Sequence, residues 1–322
     1  MVAPTPHRDR SRTWQPAPEQ LLYQSYSVEE DRIRTNVHYE QPPEFFYTLT
    51  GGEWNVYSCN LWMTGARNDT ESQEAKLDLM ARIMDLQPGQ RLLDVGCGWA
   101  GPLTYFSKRY GVRGVGLTLS PTQKRCADER IARYGADVQV IEKHWKDYQP
   151  TEPFDAIFTD EVIVHFHDLE EFFRQAWDWL RPGGVFLNKE VHFTNSRHGA
   201  TMQRGDVLIH EIYGLTGNYR TIAEELSFLD RVGFQLKRIV QIPLENYLKT
   251  ARRWEENLLA GRKELEALVG PEYFHRFRAY LQLTRKILRS GKITLDAIAS
   301  TKMDLPGFGA APAQQPVYEG LT

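Results

Sequence analysis

Apolar positions recur along this chain in two alternating rhythms. AKLDLMARIMDL (75–86) has the three-and-four spacing of an amphipathic helix, and Pro88-Gly89 supplies the turn that follows. RLLDVG (91–96) is an apolar run of strand length, Pro102–Tyr110 returns to helical spacing, and VRGVGLTLS (112–120) is again strand. PTQKRCADERIARYG (121–135) carries Pro121 in its first turn and Gly135 past its end, the usual punctuation of a helix. VQVIEKH and FDAIFTDEV read as strands and DLEEFFRQAWDWL as a helix; after a PGG turn, VFLNKEV is a strand. Strands alternating with helices of this length predict an α/β, Rossmann-like, mostly parallel doubly wound sheet.

The rhythm breaks on either side of this core. Residues 21–75 hold short aromatic segments (LLYQSY, PEFFYTL, WNVYSCNLW) interrupted by Pro42-Pro43 and Gly51-Gly52, and read as a helical cap over a site. After Val191 the alternation stops; GFQLKRIVQI returns to strand, two long amphipathic helices are expected from Tyr247 to Arg289, and ITLDAIASTKM closes the sheet. The expected organisation is a disordered tail (1–20), a cap (21–75), a cofactor-binding core (76–193) and a substrate-facing insertion (194–232). C-terminal strands and helices (233–305) complete the core, and a flexible tail (306–322) follows. With 41% hydrophobic and 25% charged residues, the composition excludes a disordered or fibrous chain. A formal charge of −3 gives no reason to expect a nucleic acid partner. The three cysteines, Cys59, Cys97 and Cys126, are an odd number, which points to a reducing, cytoplasmic setting. No leader and no apolar run of about 18 residues argue against stable membrane association. The cap and C-terminal helices offer apolar surface for a homo-oligomer.

LDVGCGWAG (93–101) matches G-x-G-x-x-G at Gly96, Gly98 and Gly101, between a strand and a helix. Such a turn lets a ligand approach backbone amides at a helix N-terminus. A dinucleotide site expects an acidic residue about 20 residues on, at the end of the second strand. That strand ends here in GLTLS, without an acid. S-adenosylmethionine fits better: Asp94 suits its ammonium group, Thr118 and Gln123 its ribose, and Trp145 its adenine.

HYEQPPEFF, YSCNLW, ESQEAKLDL, LQPGQRLLDVGCGWAG, GLTLSPTQ and NYLKTARRW follow one another at family spacing. Together they resemble the cyclopropane-fatty-acid synthases and mycolic acid methyltransferases over roughly residues 36–300. The resemblance implies a class I S-adenosylmethionine-dependent methyltransferase, with Tyr39, Tyr57 and Ser58 joining the glycine loop, Thr118, Gln123 and Trp145 around the cofactor. In that family a bound bicarbonate is the base. Its glutamate contact falls here on Val164, its histidine on Asn188 and a nearby isoleucine on Glu190, while Cys59, His165 and Tyr247 are retained. A bicarbonate beside Glu190 would be repelled, so the anion site reads as dismantled and ring closure as unfavoured.

Asp160 and Glu161 end the strand FDAIFT, on the side of the sheet where ligands bind. The isoprenoid diphosphate C-methyltransferases, a more distant group, are similar in placing an acid after this strand. Methylation of an alkene leaves a carbocation, which a carboxylate can stabilise and then deprotonate. Glu161, His165, Glu190 and Tyr247 are therefore the candidate catalytic residues. Arg34, His38, Asp160, Arg197, Arg204, His210 and Arg220 are candidate substrate contacts, the arginines suiting phosphate oxygens. The leading expectation is C-methylation of a small isoprenoid diphosphate, with Mg2+ shared between the acids and the diphosphate. No spacing for a protein-only metal site is present. Methylation of an unsaturated acyl chain, N-methylation of a small amine and non-catalytic cofactor binding are the rival readings.

Overall fold

The computed structural model describes residues 27–39, 41–198 and 218–303. Its strands are β1 (Arg91–Val95), β2 (Arg113–Thr118), β3 (Val138–Glu142), β4 (Phe154–Asp160), β5 (Leu180–Phe193), β6 (Phe234–Gln241) and β7 (Ile293–Lys302). Its helices are α1 (Val28–Tyr39), α2 (Pro43–Thr50), α3 (Asp69–Met84), α4 (Gly101–Tyr110), α5 (Pro121–Tyr134), α6 (Leu169–Trp179), α7 (Ile222–Val232), α8 (Leu244–Ala260), α9 (Arg262–Val269) and α10 (Pro271–Leu288).

The strands form one sheet in the order β3-β2-β1-β4-β5-β7-β6. The first five pair in parallel, and β7 runs antiparallel to both β5 and β6. The mostly parallel, doubly wound α/β sheet expected from the periodicity is present. Helix boundaries follow local chemistry. The Ser120 side chain accepts from Gln123 N–H at the start of α5, and Gly135 ends that helix in the left-handed region. Thr221 and Glu224 form a reciprocal capping box at the start of α7.

Both sheet faces are covered. Leu77, Met80, Leu103, Phe106, Phe158 and Leu187 share one core, and Ile157, Phe172, Phe173, Phe186 and Leu229 another. Adjacent residues of β4, Ile157 and Phe158, thus serve opposite cores, which is why the strand reads as a continuous apolar run. A third, aromatic-rich core joins α2 to the C-terminal helices through Phe45, Phe46, Trp99, Trp254, Phe274 and Phe277. Polar bonds stitch the same layers: Trp62 N–H donates to Asn246 (2.7 Å) and Asn60 N–H to Thr250 (3.1 Å), both on α8.

Two details differ from the sequence expectation. The C-terminal region holds three helices where two were expected, because the chain is interrupted at Gly261 and Gly270. The last part of residues 194–232 is α7, which packs on α6 and β6 and sends Leu229 into the sheet core.

The switch of strand order between β1 and β4 opens the crevice where doubly wound folds bind ligands. Its floor depends on close approach: a Cβ on Gly101 would lie 1.8 Å from the Trp54 carbonyl oxygen, a backbone atom. Gly101→Ala is expected to destabilise the protein by about 1–3 kcal/mol. An unchanged urea midpoint would show that this backbone contact is slack.

Candidate active site

The glycine loop leaves β1 with Gly96 at φ +86°, where a Cβ would sit 2.7 Å from Val162. Two cavities meet at this loop. One, of about 120 Å³, is lined by Tyr39, Gly96, Gly98, Thr118, Gln123, Trp145, Glu161 and His165 among others. The other, about 80 Å³, is lined by Tyr39, Tyr57, Ser58, Asp94, Gly96, Gly98, Gln123, Asp160 and Glu161 among others. All nine residues expected around a cofactor therefore converge on one crevice, and Glu161 stands in both parts of it.

The chemistry of the crevice fits an adenosyl group with a charged methionyl end. Trp145 offers a flat buried face, and its Nε1 has no partner. Thr118 and Gln123 bond each other at 2.6 Å beside it. Burial and the neighbouring charge of Asp160 raise the Asp94 pKa well above the carboxylate range, so a cationic ligand group would relieve it.

Beyond the crevice lies a ladder of buried charges. Lys76 Nζ bonds Asp160 at 2.5 Å, and Lys189 Nζ bonds Asp160 at 2.8 Å and Glu161 at 2.5 Å. Ser58 donates its hydroxyl to Asp160 at 2.7 Å. Burial opposes ionisation of Asp160, yet Lys189 and Lys76 hold it well below the usual carboxylate range. Glu161 follows β4 at φ +59°, a left-handed conformation, with its N–H donating to the Lys189 carbonyl at 2.7 Å. Cys59 N–H (2.8 Å), Tyr247 Oη (2.5 Å) and Lys189 Nζ (2.5 Å) all donate to its carboxylate.

The family model for mycolic acid cyclopropane synthetase matches residues 26–298. The chain belongs to that family. It is 29% identical over 291 residues to the methoxy mycolic acid synthase MmaA3 of Mycobacterium tuberculosis, covering 84% of this chain and 97% of that protein. A sphingolipid C9-methyltransferase of Komagataella phaffii is 26% identical over 88% of this chain and 60% of its own length. The solved cyclopropane synthase MmaA2 of Mycobacterium tuberculosis superposes with a TM-score of 0.78 at 28% identity, covering 84% of this chain and 98% of that one. Mycolic acid cyclopropane synthase CmaA1, solved with S-adenosylhomocysteine, gives 0.77 at 26% identity, over 84% of this chain and 98% of that one. This member of the cyclopropane synthetase family is a class I S-adenosylmethionine-dependent methyltransferase.

Within this family member, the candidate residues divide sharply. Glu161 and Tyr247 are brought together, as are Cys59 and Lys189. Glu190 is not a free carboxylate facing an anion: it accepts from Val164 N–H (3.2 Å) and Val191 N–H (2.9 Å). Burial and the charge of Glu161 push its pKa up to about 8, so it is largely neutral at pH 7. The expectation that Glu190 repels a bound anion is corrected accordingly. His165 lines the cofactor crevice; burial lowers its pKa to about 4, and its Nδ1 has no partner.

Of the arginines expected to hold phosphate, the two with described side chains, Arg197 and Arg220, do not line this crevice. Arg220 is buried and donates to the carbonyls of Asn218 (3.0 Å), Phe166 (2.9 Å) and His167 (2.7 Å), so its role is to tie a turn together. Arg197 is exposed after β5. Arg204, His210 and the side chains of Arg34 and His38 lie outside the described residues. Asp160 bonds Lys76, Lys189 and Ser58 where it lines the crevice. Among the described residues, no cluster of three His, Cys, Asp or Glu side chains is placed to hold a metal.

Sequence reasoning missed Lys76. Its signal was present: Lys76 falls in register with Met80, Ile83 and Met84 on the apolar stripe of α3, where a cation needs a buried partner.

The state of Glu190 sets a pH dependence of stability. The native carboxyl keeps its proton where the unfolded chain, with an ordinary value of 4.5, has lost it. The contribution of Glu190 to stability therefore falls as pH rises from about 4.5 to about 8 and levels beyond. Glu190→Gln, a mimic of the protonated acid, is expected to raise Tm by several degrees at pH 8, at about 2–4 °C per kcal/mol, with little gain at pH 4. The same Tm shift at both values would refute a buried neutral carboxyl.

Proposed function

We propose that this enzyme methylates an alkene carbon of an unsaturated acyl chain, with the carboxylate of Glu161 as the built-in base. The observation that carries the reading is that Glu161, on the cofactor crevice, is bonded by Tyr247, which also lines an apolar cavity. That cavity, about 60 Å³, is lined by Val191, Phe193, Tyr219, Tyr247, Tyr280 and Ile287 among others. Tyr247 joins the two regions, its ring on the cavity and its hydroxyl on Glu161. The relatives support an acyl rather than an isoprenoid substrate, since they are named for mycolic acids and a sphingolipid. The described arginines give no support to a diphosphate.

S-adenosylmethionine supplies an electrophilic methyl group when bound. Tyr57, Ser58 and Asp94 line the part of the crevice suited to its methionyl end, and Trp145 the part suited to adenine. When the alkene π pair forms the new carbon–carbon bond, the adjacent carbon becomes cationic. Glu161 offsets that charge and accepts a proton from a neighbouring C–H. A proton lost from the chain restores a double bond, and one lost from the new methyl closes a ring. Cys59 N–H, Tyr247 and Lys189 orient the carboxylate, so the C–H it faces decides the product. Of the three anion-site positions that the family resemblance retains, Cys59 and Tyr247 here both serve the Glu161 side chain.

Product labelling and the behaviour of Glu161 variants test this. With methyl-labelled S-adenosylmethionine, label is expected in unsaturated phospholipid and not in isopentenyl or geranyl diphosphate; label confined to a diphosphate would overturn the acyl reading. Glu161→Gln is expected to lower kcat by about 100-fold or more with cofactor affinity kept. Glu161→Gly relieves the positive φ and vacates the three donors, so added formate or bicarbonate should restore part of the lost rate. Wild-type activity that depends on added bicarbonate, or a fully active Glu161→Gln, would remove Glu161 from the chemistry.

A further inference from the structure

The part of the crevice suited to adenine adjoins a further cavity, of about 240 Å³. Asp31, Trp145, His165 and Phe166 line both the cofactor cavity and this outer one. Thr118 and Gln123, the pair suited to the ribose, line the cofactor cavity and not the outer one. The shared residues therefore mark the end of the cofactor cavity away from the ribose. Adenine carries its exocyclic amine across the ring system from its ribose bond. A base lying against Trp145, with its ribose at Thr118 and Gln123, turns that amine toward the shared residues.

An amine N–H taken out of water needs an acceptor. Among the described residues, Asp31 and Glu161 are the carboxylates that line the cofactor cavity. Glu161 serves the other end: it does not line the outer cavity, it lines the part suited to the methionyl group, and Cys59, Tyr247 and Lys189 donate to it. Asp168 lines the outer cavity alone, and its carboxylate accepts from Glu171 N–H (3.0 Å) at the start of α6. Lys146 is a donor and pairs with Glu171 at 2.8 Å. The Nδ1 of His165 is itself enclosed by protein.

Asp31 is held in place from β3. Lys146 N–H donates to His144 Nδ1 at 3.0 Å, which leaves the proton of a neutral imidazole on Nε2. That Nε2 lies 3.3 Å from Asp31 Oδ2. A carboxylate has about four acceptor positions, so this one contact leaves room for a ligand donor.

We propose that Asp31, carried by α1, accepts a hydrogen bond from the exocyclic amine of the cofactor's adenine and makes that amine a condition of tight binding. The proposal rests on the placement of the adenosyl group given above. It brings α1, an element outside the doubly wound sheet, into cofactor selection, at a site where neither β2 nor the Trp145 turn offers a free carboxylate to the base.

Titration calorimetry with S-adenosylhomocysteine and its 6-deamino analogue, which has hydrogen in place of the amine, tests this without turnover. Wild type is expected to bind S-adenosylhomocysteine at least about tenfold more tightly than the analogue. In Asp31→Ala that ratio is expected to fall below about threefold, because the acceptor is gone. The ratio is taken on one preparation, so a loss of folded protein cancels from it. A wild-type ratio in Asp31→Ala overturns the proposal. So does a ratio that survives in Asp31→Ala and collapses in His165→Phe, which would assign the amine to His165. Trp145→Ala separates the placement from the contact: it is expected to weaken both ligands by about tenfold or more. Unchanged affinities in Trp145→Ala would overturn the placement of the adenosyl group, and the role of Asp31 with it. Weakened binding there, with the ratio intact in Asp31→Ala, would overturn the role of Asp31 alone.

Discussion

Two buried lysines facing two carboxylates fix the geometry on which the rest of the site depends. Lys76 comes from α3, Asp160 and Glu161 from the end of β4, and Lys189 from β5, so the ladder ties a covering helix to the two central strands. Burying such charges is costly unless each finds its partner, and removing one partner leaves its neighbour stranded. The two positive and two negative groups balance, and this lets the backbone at Glu161 hold a left-handed conformation that a glutamate would otherwise avoid. Cys59 and Tyr247 then complete the orientation from the cap and from α8. Five separate parts of the chain thus agree on where one carboxylate points.

The cap is held as firmly as the core. Aromatic rings of α2 interlock with those of α10, Phe45 meeting Phe277 edge-on at 5.1 Å, while Tyr57 tilts against Trp254 at the same distance. Asn246 and Thr250 on α8 satisfy backbone and indole donors of the YSCNLW segment. These contacts place Tyr57, Ser58 and Cys59 over the crevice by packing and hydrogen bonding together.

The doubly wound sheet was legible because its signals are local: apolar periodicity, the glycine turn, and prolines and glycines at helix ends. The candidate cofactor residues Asp94, Gly96, Gly98, Thr118, Gln123 and Trp145 were legible for the same reason, each lying at or just beyond the end of a strand, whereas Tyr39, Tyr57 and Ser58 came only from the family resemblance. What could not be read arises from contacts distant in sequence. Glu190 looks like an ordinary acid until its two backbone donors and its burial are known. Arg220 looks like a phosphate ligand until three carbonyls are found to occupy its guanidinium. Lys76 looks like a surface lysine until Asp160, 84 residues away, comes to meet it.

The placement of β7 between β5 and β6 has a consequence for how the molecule is made. The strand that bridges the parallel half of the sheet to its last strand is the last element of the sheet in the chain, paired to residues roughly a hundred positions earlier on β5. During synthesis, β1 to β5 can assemble as they emerge, while β6 must wait without a neighbour. Assembly is therefore gated by the most distant contacts in the sequence, a topology that slows folding. The apolar edge of β5 stays open throughout that interval, which makes it the surface most in need of protection before the chain is complete.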